Sequence, residues 1–300
     1  SLCGRYRNHG DSRTGTGAGA RGLEFAIFEG TTPTGPFTKI RSFTKQDLSR
    51  PEAPVVSIEG GKLFVGPSGV EMIVSTEKGI AYPEALGSFQ KPGTGVWSID
   101  RIGAASIEAL DSATMTEVQS SGDGATLHVK DPVVFDSPAG GTALMFCSHP
   151  FGWSSSNTGL AKRGEGEGEF VLQTRSVLER GATWDVACAR VTDRLAVPQV
   201  GLLAGLPPLS LYFYDGAECL RSLDENAKAV SRPRGYSCEE LGGLAWGWDA
   251  EFPKMQRLSL DFPLFTSPHG TGCSRYVSTL KTKDGIMATW QQSQPDRSQP

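Results

Sequence analysis

The sequence contains no C-x-x-C pair: its six cysteines, Cys3, Cys147, Cys188, Cys219, Cys238 and Cys273, stand far apart along 300 residues. That excludes the usual spacing of a structural zinc site or a dithiol redox motif. The cysteines are expected as small buried hydrophobes, although an even number leaves disulfides open. No window approaches the roughly 18 to 20 uninterrupted apolar residues of a membrane-spanning helix. There is no dense run of lysine and arginine, and the net charge is −4. The chain therefore carries no electrostatic footprint for nucleic acid or an anionic membrane. It opens on Ser1, in "SLCGRYRNHGD", without the basic, apolar and small-residue order of a signal peptide. Convincing amphipathic helices are missing too, the best candidate being the short "AASIEALDSATMTEV" (104–118).

What the chain does have is punctuation, with 37 glycines and 19 prolines between short runs rich in β-branched and aromatic residues. Such runs are "LEFAIFEG" (23–30), "APVVSIEGGKLFVG" (53–66), "GVEMIVSTEKG" (69–79), "DPVVFDSPAGGTALMFCSH" (131–149), "DVACARVTDRLAVP" (185–198), "LSLYFYDGAECL" (209–220) and "SRYVSTLKTKDGIMATWQQ" (274–292). Their composition and bounding residues read as strands. Glu-Gly-Gly (59–61), Pro-Ala-Gly-Gly (138–141) and Lys-Asp-Gly (283–285) each lie between two such runs and are expected as hairpin turns. A unit also recurs: a strand ending in small residues, a polar turn and a phenylalanine opening the next run, at Phe37, Phe170 and Phe252. Units of several strands at such spacing suggest propeller blades, with a two-sheet sandwich as the competing architecture.

Two motifs mislead. "GAGARG" (17–22) matches G-x-G-x-x-G, but a polar stretch precedes it and a strand follows it, the reverse of a dinucleotide fold, so a loop is expected. "VLERGATW" (177–184) resembles the turn box of sialidase-type propellers, yet Val177 and Glu179 replace its turn-forming Ser and Asp. It supports a β-turn near Trp184 and no more.

The stretch with chemistry is "LHVKDPVVFD" (127–136), where His128, Lys130 and Asp131 run into a proline and an apolar strand. In a propeller each innermost strand starts near the central axis, so a side chain there can reach a shared depression. A residue before proline is pushed out of the α region, so Asp131 is expected to be extended.

"HVKDPVVF", followed by "TALMFCSHP" and "SSSNTGLAKRG", resembles the third blade of the five-bladed β-propeller glycosidases: glycoside hydrolase families 43, 62 and 32 and the family 130 phosphorylases. "RPEAPVVSIEGGKLFV" (50–65) and "ATWDVACARVT…LSLYFYDGAE" are similar to the blades on either side. The resemblance runs from about residue 23 to 290 and implies one all-β, five-bladed propeller domain over residues 1–300, beginning inside its first blade. It also implies a carbohydrate as partner, bound in a central pocket, with glycosidic hydrolysis as the activity.

In those families carboxylates from different blades act as base or nucleophile, as general acid, and as an orienting group. Asp131 matches the Asp-Pro position; Asp185, where the families usually carry glutamate, is the candidate acid; Glu52 opens the preceding blade. The first-blade aspartate has no clear match, Asp11 lying in a glycine-rich loop. Acid and base must stand about 5 to 5.5 Å apart for retention or 6.5 to 9.5 Å for inversion. Trp153 and Trp184 are candidate sugar platforms; His128, Lys130, His149, His269 and Arg275 are candidate hydrogen-bonding groups. No cofactor is expected; His269 resembles a central-channel histidine that binds an ion, such as calcium, or water in some family 43 members. The missing first-blade aspartate favours the alternative, a non-catalytic propeller that binds glycan or protein.

Overall fold

The computed structural model describes residues 2–7, 22–66, 69–90, 94–121, 124, 126–149, 156–166, 168–217, 240–269 and 272–295; of residues 2–7 only the backbone is described. Five antiparallel sheets follow one another along the chain. The first holds β1 (Leu2–Arg7), β2 (Glu24–Gly30) and β3 (Phe37–Thr44). The second holds β4 (Val55–Gly66), β5 (Gly69–Lys78), β6 (Val96–Ala104) and β7 (Thr116–Ser120). The third holds β8 (Leu127–Asp136), β9 (Thr142–His149), β10 (Asn157–Arg163) and β11 (Val171–Leu178). The fourth holds β12 (Cys188–Ala196), β13 (Leu209–Ala217), β14 (Leu241–Trp248) and β15 (Gln256–Arg257), and the fifth β16 (Ser274–Thr282) and β17 (Gly285–Gln292). In every sheet consecutive strands are hydrogen-bonded neighbours, so each is an up-and-down blade. This is the expected all-β, five-bladed propeller.

The two-residue period of a strand explains how the blades adhere, because successive side chains point to opposite faces. On β5, Val70, Met72 and Val74 join Phe25, Ile27 and Phe43 of the first blade, while Ile73 between them joins Leu144 and Phe146 of the third. On β9, Leu144 and Phe146 face the second blade, whereas Ala143 and Met145 pack with Val191, Tyr212 and Tyr214 of the fourth. A central strand is thus apolar on both sides, and every residue of β9 is buried.

Two expectations are corrected. The Glu-Gly-Gly at 59–61 is no hairpin turn: β4 runs unbroken through it as a β-bulge, its pairing slipping by one residue between Glu59 and Gly61. Gly60 sits there at φ +57, and a Cβ on it would lie 2.6 Å from Asp131 Oδ1 and 3.1 Å from Asp131 Cα. Only glycine lets β4 approach β8 so closely. The segment 104–118 is not a helix: it runs from the end of β6 through a loop with a 3-10 turn at Ser112–Thr114 into β7, and Ile107 and Leu110 pin the loop to the first two blades. The one α-helix among the described residues is the four-residue Lys45–Leu48, closed by a Thr44–Asp47 capping box.

The other two turns form as expected, between β8 and β9 and between β16 and β17. The phenylalanine unit is the link from a blade's next-to-last strand to its last one, β2 to β3, β10 to β11 and β14 to β15. "GAGARG" lies outside the described residues apart from Gly22.

Replacing Gly60 by alanine should lower stability by about 1–3 kcal/mol in urea denaturation, from the left-handed backbone and the clash with Asp131. Gly164→Ala, where an added methyl meets no atom within 4 Å, should leave the midpoint nearly unchanged. Equal midpoints for the two variants would contradict this account of the bulge.

Candidate functional site

The innermost strands β4, β8, β12 and β16 are all bulged, and four bulged positions carry left-handed backbone: Gly60 on β4, His128 and Asp131 on β8 and Tyr276 on β16. β8 slips twice, once at His128 (φ +54) and once at Asp131 (φ +55). Asp131 is therefore not extended, contrary to the expectation for a residue before proline. Its N–H donates to Ser75 Oγ at 2.8 Å instead of joining the ladder, and its carboxylate turns to a partner on another blade. Non-glycine residues in this conformation cost free energy and concentrate at functional sites.

That partner is Arg190 of β12. Its guanidinium Nη1 donates to Asp131 Oδ2 at 3.0 Å, and its Nη2 meets Asp215 Oδ2 of β13 at 2.7 Å and Glu240 Oε1, just before β14, at 3.0 Å. Glu240 also pairs with Arg275 of β16. Asp215 accepts the N–H of Tyr276 at 3.0 Å through Oδ1, and both guanidinium groups lie over the Tyr276 ring, 4.6 and 4.8 Å from its centre. On the second-blade side Lys130 pairs with Glu59 at 3.6 Å and lies over the Trp97 ring. Burial is graded: Asp215 is 0%, Arg190 3% and Asp131 7% exposed, whereas the side chains of Glu240, Lys130 and Glu59 reach 15%, 23% and 25%. A second crossing ties Lys62 of β4 to Asp193 of β12 at 3.2 Å, and Asp193 to the Thr279 N–H of β16.

The electrostatics follow from burial against these partners. Burial pushes the Asp215 carboxyl up to about 7, with Arg190 pulling the other way. Burial opposes the charge on Lys130 too, yet Glu59, Asp131 and Tyr276 outweigh it and hold the ammonium above its usual range. Cys147 of β9 lies 3.0 Å from His149 Nε2 and 2.8 Å from Ser156 Oγ. Burial raises its thiol to about 11, so this Cys-His contact supplies no thiolate nucleophile at neutral pH. Burial and then Lys130 depress His128 to about 4; Tyr82 Oη approaches its Nδ1 at 3.2 Å. Among the described residues no group of three or more His, Cys, Asp or Glu side chains is placed to hold a metal.

Of the candidates read from the sequence, Asp131, Lys130 and Arg275 enter this axial cluster, and His128 and His149 stand beside it, ring centres 5.9 Å apart. Asp185 does not. It is buried where the chain enters the fourth blade, paired with Arg257 at 2.8 Å and with Tyr214 Oη at 3.2 Å. The sequence reading placed it at the head of an innermost strand, but β12 begins only at Cys188. Trp184 is not a platform: it stacks on Tyr214 in the core and donates its indole N–H to Ser259 O at 2.9 Å. The "VLERGATW" segment ends there in the expected turn. Glu52 is exposed in a turn before β4, and His269 is exposed in a bend. Asp11 and Trp153 lie outside the described residues.

Five members of the cluster escaped the sequence reading: Arg190, Asp215, Glu240, Tyr276 and Glu59. The available signal was the one charge in each of two otherwise apolar segments, "VACARV" and "LYFYDG", because a charge in a doubly buried strand needs a partner. The cysteines Cys147, Cys188 and Cys273 are free buried thiols, as expected of small hydrophobes.

No protein-family model matches the chain, and no curated protein is similar to it in sequence. Solved structures are. A thermostable family-43 glycoside hydrolase superposes with TM-score 0.50 at 13% identity, over 85% of this chain and 73% of its own. The chain has the fold of the family 43 glycoside hydrolases. The alpha-L-arabinofuranosidase of Lactobacillus brevis gives 0.54 at 12% identity over 91% and 77% of the two chains. The endo-arabinase of Bacteroides thetaiotaomicron VPI-5482 gives 0.53 at 9% identity over 100% and 87%. At these identities the likeness is one of fold. No helix among the described residues is long and apolar enough to cross a membrane.

The depressed His128 fixes a sign for pH dependence. Its stabilising contribution is full above the unfolded value of 6.5 and is lost as pH falls toward about 4, because only the unfolded chain takes up the proton. His128→Asn, which tolerates the left-handed backbone, should flatten the acid limb of stability by about 1–3 kcal/mol between those limits. Parallel limbs for parent and variant in urea melts across that range would contradict it.

Proposed function

We propose that the protein binds a carbohydrate at the axial mouth of the propeller and hydrolyses a glycosidic bond there. The observation that carries this reading is the convergence of Asp131 of β8, Asp215 of β13 and Glu240, just before β14, on the single guanidinium of Arg190. Asp215 and Glu240 share one nitrogen of that group and are therefore close neighbours.

Glycosidic cleavage needs a carboxyl that protonates the leaving oxygen and a second one opposite it. Glu240 is the most open of the three and is the candidate for proton transfer; Asp131, aimed by its bulge, is the candidate to orient or stabilise the sugar. Asp215 is fully buried and positions the other two through Arg190 and Tyr276. The neighbours' names make arabinose-containing oligosaccharides the first substrates to try.

One observation favours a second reading, a propeller that binds glycan without cleaving it: Asp131 and Asp215 are both tied to Arg190 and almost closed to solvent.

Reducing-sugar release from arabino-oligosaccharides is expected for the parent, with kcat lowered about 10²- to 10⁴-fold in Glu240→Gln and in Asp131→Asn. Calorimetric binding without release by the parent would select the non-catalytic reading. Unchanged turnover in Asp131→Asn would remove the axial cluster from the chemistry.

A further inference from the structure

Trp290 of β17 is an aromatic side chain for which the axial site has no use. The other tryptophans among the described residues are buried or half-buried, whereas Trp290 is 47% exposed. The two-residue period puts Ala288, Trp290 and Gln292 on one face of β17, while Gln291 on the other face accepts the Arg275 Nε–H at 2.6 Å. With Thr289 and Gln294, those three residues line a shallow groove of about 290 Å³.

The indole is held from two sides. Its Nε1–H donates to Gln292 Oε1 at 3.2 Å, and its ring meets that of Phe265 with centres 6.2 Å apart and planes inclined by 66°. Phe265 is fixed in turn: its backbone pairs with Gly242 of β14, and its ring lies within 2.2 Å of where a Cβ on that glycine would stand. Because the one indole donor is engaged inside the protein, what Trp290 offers outward is apolar ring surface. Nothing charged lines the groove, which sets beside that ring the amides of Gln292 and Gln294, the Thr289 hydroxyl and the Ala288 methyl. An ion would find no counter-charge there, and a wholly apolar partner would strip water from the amides without replacing it. A neutral sugar meets both demands, with C–H groups on its face and hydroxyls around its rim. The groove stands at the lower limit of small-molecule sites, roughly 300–1,000 Å³, which suits a short stretch of glycan and not a protein face. Leu280 and Ile286, also exposed on this blade, sit at the turn end of the hairpin and do not line it.

We infer that the Trp290 groove is a second carbohydrate site, on the fifth blade, which binds a neutral polysaccharide by stacking a sugar ring on the indole and bonding its hydroxyls to Gln292, Gln294 and Thr289. It is separate from the axial cluster and needs no chemistry there. A hydrolase would use it to hold a polymer, and a non-catalytic propeller would use it as it stands.

The test is affinity electrophoresis in native gels containing soluble arabinan or arabinoxylan, two neutral polymers. The mobility of the parent is expected to fall as polymer concentration rises, and Trp290→Ala to weaken that retardation about tenfold or more, as loss of an anchoring tryptophan does. Ala288→Arg fills the groove from an exposed position and should weaken it equally, which keeps the test decisive where the first variant fails to fold. A parent that neither polymer retards, or retardation that survives both variants, overturns the inference. A concentration-dependent dimer in sedimentation that Trp290→Ala breaks up gives this face to a second copy and overturns it as well. None of these outcomes is read from sugar release, so the hydrolase reading stands or falls separately.

Discussion

A buried guanidinium is the constraint on which the rest of this structure depends. Arg190 is 3% exposed, and such a charge is strongly unfavourable unless its donors are met by anions. The propeller meets that demand with Asp131, Asp215 and Glu240, and the demand propagates outward. Asp131 can reach Arg190 only because β8 bulges, and β8 can bulge only because β4 presents a glycine at position 60. Asp215 in turn holds the backbone of Tyr276, and Glu240 holds Arg275, so the fifth blade is fastened to the fourth through the same ion cluster.

The blades themselves adhere by a different force. Between the first and fourth blades the interfaces are apolar, built from strands whose alternate side chains enter two neighbouring cores. Away from the axis a polar tie crosses them as well: Glu71 of the second blade binds Arg163 of the third at 2.8 Å as well as Arg101 at 2.6 Å. Burial works against the Glu71 charge, but the two arginines prevail and keep its carboxyl below the ordinary range. The fifth blade shares in none of these apolar cores; its innermost strand meets β12 and β13 through Asp193, Asp215 and Glu240. Apolar contact is non-directional and suits a wall, whereas paired charges fix register and orientation and suit an axis.

Function follows from the gradient of exposure along that axis. The fully buried members, Arg190 and Asp215, hold geometry, and the partly open ones, Glu240 and Lys130, are those that the proposed function assigns to a ligand. The same gradient separates Asp185 and Trp184 from the site despite their attractive position in the sequence. They end in an ion pair and a ring stack at the entrance of the fourth blade, because the turn at 179–187 lies ahead of β12 and not on it.

Strand positions were legible in the sequence because a doubly buried strand needs an uninterrupted apolar stretch and its turns need glycine, proline or aspartate; the bounds of β5, β9, β13 and β17 fall within a few residues of that reading. Asp131 was legible as well, since a carboxylate just ahead of an apolar run is conspicuous, although β8 begins four residues earlier, at Leu127. What only the tertiary structure decided is which charges share a site. Arg190, Asp215 and Glu240 are 25 to 50 residues apart in three separate segments, so nothing local distinguishes a partner in an axial cluster from a surface turn. Glycines 60 and 61 read locally as a hairpin, and only the approach of β8 shows that the missing Cβ serves a neighbouring blade. Local pattern determines what must be buried, and the meeting of blades at one axis determines what each buried charge is buried against.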